Sequence, residues 1–146
     1  MRIEPWMKRP VTTVRPQDSA RHARAVMEEH RFNQLPVVLD GRLVGIVTDR
    51  DLRDVFPSVF ESAEPWGHGV RTSGSDPATI PVEDVMTRNV LALAPGAFVA
   101  DAARLMRRER IGAIPIVDGE RLVGILTRSD VLDAFVELSQ SALSMG

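Results

Sequence analysis

Two stretches of this chain repeat one another, and that duplication restricts the fold more than any other feature. At a fixed offset of 79 residues, Met7 matches Met86, Pro16 matches Pro95 and Met27 matches Met106. Pro36 matches Pro115, Gly45 matches Gly124, Thr48 matches Thr127 and Asp51 matches Asp130. Aligning 6–56 with 85–135 needs no gap and gives 18 identities in 51 positions, where unrelated sequences would share only a few. A duplication of this kind means one supersecondary unit made twice.

Each copy reads the same way. Val11–Val14 and Val90–Leu93 are predicted as short strands, stopped by Pro16 and Pro95. A helix follows. In the first copy Asp18 or Ser19 caps it, and Ala20, Ala23 and Met27 share one face. In the second copy Val99, Ala102, Ala103 and Met106 share the equivalent face, with the methionines as core filler. Asp40-Gly41 between apolar runs signals a two-residue hairpin whose central residues both take positive φ. Asp118-Gly119 falls one position earlier in the repeat frame, so the turn registers are expected to differ. Helices then begin at 49–56 and 128–138. The unit is β-α-β-β-α, an α/β (α+β) fold made of a first repeat at 1–56, a linker at 57–81 and a second repeat with a C-terminal helix at 82–146. The linker holds 11 Gly, Pro or Ser in 25 positions, which marks it as a surface connection. Trp66 is expected to pin this connection to the body, and His68 to be solvated.

Composition closes several routes. The chain has no cysteine, so disulfides, cysteine-based zinc sites and thiol catalysis are excluded. The three histidines, His22, His30 and His68, show no metal spacing and no link to a catalytic serine, so neither a metal site nor an enzyme is expected. A net charge of −2 argues against a broad nucleic-acid-binding face; the cluster Arg104, Arg107, Arg108 and Arg110 reads as a solvated helix face. No apolar run approaches a membrane span, and the N-terminus lacks the apolar core of a signal peptide. The expected location is the cytoplasm.

The chemistry concentrates at Gly45-Ile46-Val47-Thr48-Asp49-Arg50-Asp51 and its copy Gly124-Ile125-Leu126-Thr127-Arg128-Ser129-Asp130. Both read Gly-apolar-apolar-Thr-x-x-Asp at a strand-to-helix junction. The plainest account is a helix-capping box, which stabilises by about 1 kcal/mol with no ligand at all. The same geometry also suits binding. Free N–H groups at a helix start attract phosphate. A threonine hydroxyl there can donate to a phosphate or ribose, and a carboxylate one turn on can accept from ribose hydroxyls. Glycine at the strand end admits a ring or a backbone at close range.

With Met7, Val11, Pro16, Leu35-Pro36-Val37-Val38 and their counterparts Met86, Val90, Pro95 and Ile114-Pro115-Ile116-Val117, these motifs make the chain resemble the tandem CBS domains, named after cystathionine β-synthase. The resemblance spans roughly 3–56 and 82–138. It implies two repeats packed through their sheets with pseudo-twofold symmetry, leaving two clefts that can hold AMP, ADP, ATP, S-adenosylmethionine or a related ligand. One cleft would join Thr127 and Asp130 to Val11, Thr12, Phe32, Asn33 and Gln34. The other would join Thr48 and Asp51 to Val90, Leu91, Ile111, Gly112 and Ala113. Apolar residues, Ile46 and Ile125 of the motifs among them, would sandwich the adenine while the motif aspartate holds the ribose. The resemblance also implies a homodimer, to which the apolar C-terminal helix could contribute.

The copies differ where a ligand would touch. Asn33-Gln34 offers side-chain hydrogen bonds, and Gly112-Ala113 only backbone. Arg128 follows Thr127 and favours a phosphate, whereas Asp49 follows Thr48 and repels one, with Arg50 offsetting it. The Thr127/Asp130 motif is therefore expected to bind an anionic nucleotide better. The leading expectation is a regulatory module that senses an adenosyl ligand, requires no cofactor and acts through an unknown effector protein or through oligomerisation. The alternative is a structural interaction protein in which both motifs are only caps.

Overall fold

The structure, a computed structural model, describes residues 1–56 and 76–145. The expectations for Trp66 and His68 lie outside the described residues. In chain order the elements are α1 (Ala20–His30), β1 (Gln34–Leu39), β2 (Arg42–Thr48), α2 (Asp49–Arg53), a 3₁₀ turn (Val82–Asp84), α3 (Val99–Glu109), β3 (Ala113–Asp118), β4 (Arg121–Thr127) and α4 (Arg128–Met145).

Two compact units result, and they do not follow the sequential repeats. The central unit is Thr12–Val90; the terminal unit is Met1–Val11 with Leu91–Gly146. Each unit takes its hairpin and helices from one repeat and its leading segment from the other. In the terminal unit Ile3 N donates to Ala97 O (2.9 Å), Glu4 N to Pro95 O (3.1 Å) and Val99 N to Met1 O (2.9 Å). In the central unit Val82 N donates to Asp18 O (2.7 Å), Glu83 N to Pro16 O (3.0 Å) and Ala20 N to Ile80 O (2.8 Å). Every one of these bonds has its counterpart at the repeat offset. Ile3 and Val82, fully buried, anchor the leading segments.

The α1 face Ala20, Ala23 and Met27 is buried, and so is the α3 face Val99, Ala102 and Met106, as the helical spacing predicts; Ala103 is half-buried. Ser19 caps α1 by accepting from His22 N at 3.0 Å. Phe98 stands at the corresponding position of α3 with no side-chain acceptor; there the Asp101 carboxylate accepts from Phe98 N at 3.3 Å.

Both hairpins have the same register. Leu39 opposes Arg42 in one and Asp118 opposes Arg121 in the other, and each carries a bulge, between Val37 and Val38 and between Ile116 and Val117. Only the turns differ. Asp40 and Gly41 both take positive φ, 52° and 82°, which suits a type I′ turn. In the second hairpin the turn residues are Gly119-Glu120, and only Gly119 is positive, at 67°. That matches a type II′ turn, with glycine first. The shifted Asp-Gly therefore changes the turn type and leaves the strands in place.

Two expectations need correction. Val11–Val14 and Val90–Leu93 do not form strands; each makes one parallel bridge, Val14 to Val37 and Leu93 to Ile116. Pro36 and Pro115, on the strands they approach, have no N–H to give, and Pro16 and Pro95 end the approach. The second helix of the first repeat stops at Arg53 rather than at 56, whereas its counterpart runs on to Met145 rather than 138. Residues 76–81, the described end of the linker, run along α1, where Arg21 pairs with Asp76 at 3.0 Å and Arg21 N donates to Pro77 O at 3.3 Å.

Candidate functional site

In the terminal unit the motif forms at the junction of β4 and α4. Asp130 is 3% exposed. Its Oδ2 accepts from Thr127 N (2.8 Å) and from Thr127 Oγ1 (2.9 Å), and its own N–H donates back to Thr127 Oγ1 (3.3 Å). The remaining oxygen, Oδ1, is held by the ammonium of Lys8, which comes from 122 residues away. The Lys8 backbone is fixed to β4 by two hydrogen bonds: its N–H donates to Ile125 O (2.8 Å) and its carbonyl accepts from Ile125 N (3.0 Å).

The central unit repeats this frame with two differences, at the Lys8 position and at the threonine hydroxyl. Thr87 occupies the place of Lys8 and makes the same two backbone bonds, to Ile46, at 2.8 and 2.9 Å. Its side chain brings no charge to the motif. Asp51 Oδ2 accepts from Thr48 N (2.9 Å) and Thr48 Oγ1 accepts from Asp51 N (3.1 Å), a complete capping box. Among the described residues Asp51 Oδ1 has no partner, and the Thr48 hydroxyl proton has no acceptor.

Gly45 and Gly124 are explained by the leading segments rather than by a ligand ring. A Cβ on Gly124 would lie 2.6 Å from Met7 Sδ, and one on Gly45 would lie 2.5 Å from Met86 Sδ. The close approach expected at these glycines is thus made by the methionine of the other repeat.

The remaining site residues divide between the units. Val11, Leu91, Ile111, Gly112, Ala113, Ile125 and Arg128 belong to the terminal unit; Thr12, Phe32, Asn33, Gln34, Ile46 and Val90 belong to the central one. Inside the terminal unit Arg128 N donates to Gly112 O (3.1 Å), and its guanidinium lies over Gly112; Ala113 opposes Thr127 across the hairpin. Inside the central unit Asp49 N donates to Asn33 O (2.9 Å), and Gln34 opposes Thr48. Phe32 and Asn33 also line a cavity of about 590 Å³ with Arg24, Arg31, Arg53 and Phe56. Arg24 is committed there, bonded to Glu28 at 2.9 Å and stacked 4.4 Å over Phe56. Sequence reasoning missed this cavity, which opens beside α2 where that helix stops short. It also missed Lys8. The available signal was the mismatch of Lys8 with Thr87 beside matched methionines.

Among the described residues no three His, Asp or Glu side chains gather as a metal site would require. No helix among them is long and apolar enough to cross a membrane.

A family model for the CBS domain matches residues 3–58 and 82–137. The chain belongs to the CBS domain family. It is 32% identical over 131 residues to the CBS domain-containing protein YhcV of Bacillus subtilis, covering 88% of this chain and 81% of that protein. Among solved structures it is similar to the CBS-pair protein CBSX2 in complex with AMP (27% identity, TM-score 0.73, covering 94% of this chain and 98% of that one). It is also similar to the CBS domain pair of MJ0100 in complex with 5′-methylthioadenosine and S-adenosyl-L-methionine (27% identity, TM-score 0.70, covering 94% and 97%). Other CBS relatives are longer: the chain spans 23% of the inosine-5′-monophosphate dehydrogenase of Korarchaeum cryptofilum and 46% of protein MJ1225 of Methanocaldococcus jannaschii. The chain itself is a tandem α/β CBS pair.

Proposed function

We propose that the chain is a cytoplasmic regulatory module that binds an adenosyl ligand through its Thr-x-x-Asp motifs and itself performs no catalysis. The observation that carries this reading is the duplicated motif, held in the same backbone frame twice, in a chain similar to CBS pairs that bind AMP or S-adenosylmethionine. Asp130 and Asp51 would accept from ribose hydroxyls, and Thr127, Thr48 and Arg128 would serve a phosphate. The terminal motif is the better anion site, since it carries Lys8 and Arg128 against Asp130, while the central one carries Arg50 against Asp49 and Asp51.

The output would pass through a second copy of the chain or an effector protein. Along α4, Leu132, Phe135, Val136 and Leu143 are all more than half exposed and follow helical spacing, which suits a homodimer contact. The complete capping box at Thr48 and Asp51 favours the competing view, a structural interaction protein that needs no ligand. A thermal-shift panel of AMP, ADP, ATP and S-adenosylmethionine separates the two. A ligand at a hundred times its Kd stabilises the folded state by about 2.7 kcal/mol. Absence of any shift at millimolar ligand would overturn the sensing role.

A further inference from the structure

We infer that Lys8 makes the Thr127–Asp130 motif selective for adenosyl ligands that carry a 5′-phosphate. This rests on the ligand-binding reading above and adds the charge class of the ligand to it.

Asp130 has acceptor sites on both carboxylate oxygens. Oδ2 accepts from the Thr127 amide and hydroxyl, and Oδ1 accepts from the Lys8 ammonium, which leaves one of its two acceptor sites. The carboxylate is 3% exposed, but the Lys8 side chain is 59% exposed. The lysine is therefore the movable member of the pair. Its backbone is not movable, because both hydrogen bonds to Ile125 hold it beside the motif.

A ribose that bonds Asp130 must take Oδ1 from Lys8 or share it. In either case the ammonium stays within one side-chain length of the ribose, since its Cα is fixed. A 5′-phosphate gives that ammonium a new anionic partner, and a charge-assisted bond of this kind is about twice as strong as a neutral one. A neutral or cationic 5′ substituent gives it none, and a sulfonium repels it. The central unit provides the contrast: Thr87 stands on the same two backbone bonds and has no charge to offer. The part of the selectivity that Lys8 supplies thus comes from its side chain and not from the repeated frame.

The test compares AMP with 5′-methylthioadenosine by calorimetric titration of the full chain. Asp51→Ala is used as the background, so that only the terminal motif reports. With Lys8 present, AMP should bind more tightly than 5′-methylthioadenosine. Lys8→Met should weaken AMP by on the order of tenfold, the usual value of a bond to a charged group, and leave 5′-methylthioadenosine unchanged or tighter. Lys8→Arg keeps the charge and should keep the preference. Melting without ligand checks that each variant is folded, and if Lys8→Met fails to fold, Lys8→Gln takes its place. An AMP to 5′-methylthioadenosine affinity ratio that is the same with and without Lys8 overturns the inference and leaves adenosyl binding standing. If both the wild-type chain and the Asp51→Ala background bind neither compound, the ligand-binding reading has failed and this one falls with it.

Discussion

The repeat glycine of the motif offers a sharp test of the packing that holds Lys8 in place. Replacing Gly124 with alanine would put a methyl group 2.6 Å from Met7 Sδ, 2.9 Å from Met7 Cγ and 3.2 Å from the Lys8 carbonyl oxygen. Two of these approaches are shorter than van der Waals contact allows, so Met7 must move. It lies in the terminal core with Ile3, Ile114 and Leu126 and is only 8% exposed, which leaves its thioether nowhere open to swing. Overpacking of this kind costs about 1–3 kcal/mol, and the lower chain entropy of alanine when unfolded returns about 0.4–1. A net loss of about 1–2 kcal/mol is expected from urea unfolding. Met7→Ala alone should cost about 2–5 kcal/mol by leaving a cavity. In the double variant the new methyl enters that cavity, so the combined loss should fall short of the sum by about 1 kcal/mol or more. A Gly124→Ala protein within about 0.5 kcal/mol of wild type, the usual spread of neutral surface changes, would refute the steric argument. So would strict additivity in the cycle.

Other outcomes follow from the same geometry. Ser19→Ala removes the cap that accepts from His22 N and should lower stability by about 1 kcal/mol, read as a shifted urea midpoint with unchanged slope. Asp130→Ala should weaken AMP more than Asp51→Ala does, since the terminal motif has the more positive surroundings; a calorimetric titration showing the reverse order would sink the asymmetry. Leu132→Glu with Val136→Glu on the exposed face of α4 should turn a dimer into a monomer in light scattering while the chain stays folded, with a melting temperature no longer dependent on protein concentration. If the paired change unfolds the chain instead, that face serves the protomer's own packing.

Much of the fold was legible because its signals are local. Ala20, Ala23 and Met27 announce α1 by spacing alone, and Asp40-Gly41 announces its hairpin because few other pairs accept two positive φ values. Misreadings arose where distant residues decide. Val11–Val14 has strand composition, but its neighbour across the bridge includes Pro36, which cannot donate. The exchange of leading segments was also hidden: Ile3 and Val82 look like any isolated apolar residues, and only the bonds to Ala97 and Asp18 show where they pack. The candidate site was legible in its motif and not in its surroundings. Thr127 and Asp130 are three residues apart, whereas Lys8 reaches Asp130 across most of the chain.

The two copies depart from one another in a pattern that bears on function. Positions that build the frame are held: the glycine under the methionine, the backbone pairing of Lys8 with Ile125 and of Thr87 with Ile46, and the threonine and aspartate of each cap. Positions beside the motif in sequence or space change in charge: Lys8 against Thr87, Arg128 against Asp49, Ser129 against Arg50. If the motifs were caps and nothing more, the charges around them would have little reason to sort. A carboxylate in the first turn, as at Asp49, even suits the helix dipole better than the arginine found at 128. Arg128 therefore works slightly against its own helix, and Lys8 occupies an oxygen that its counterpart leaves open. Both departures raise positive charge at the same motif, where an anion would gain most from it.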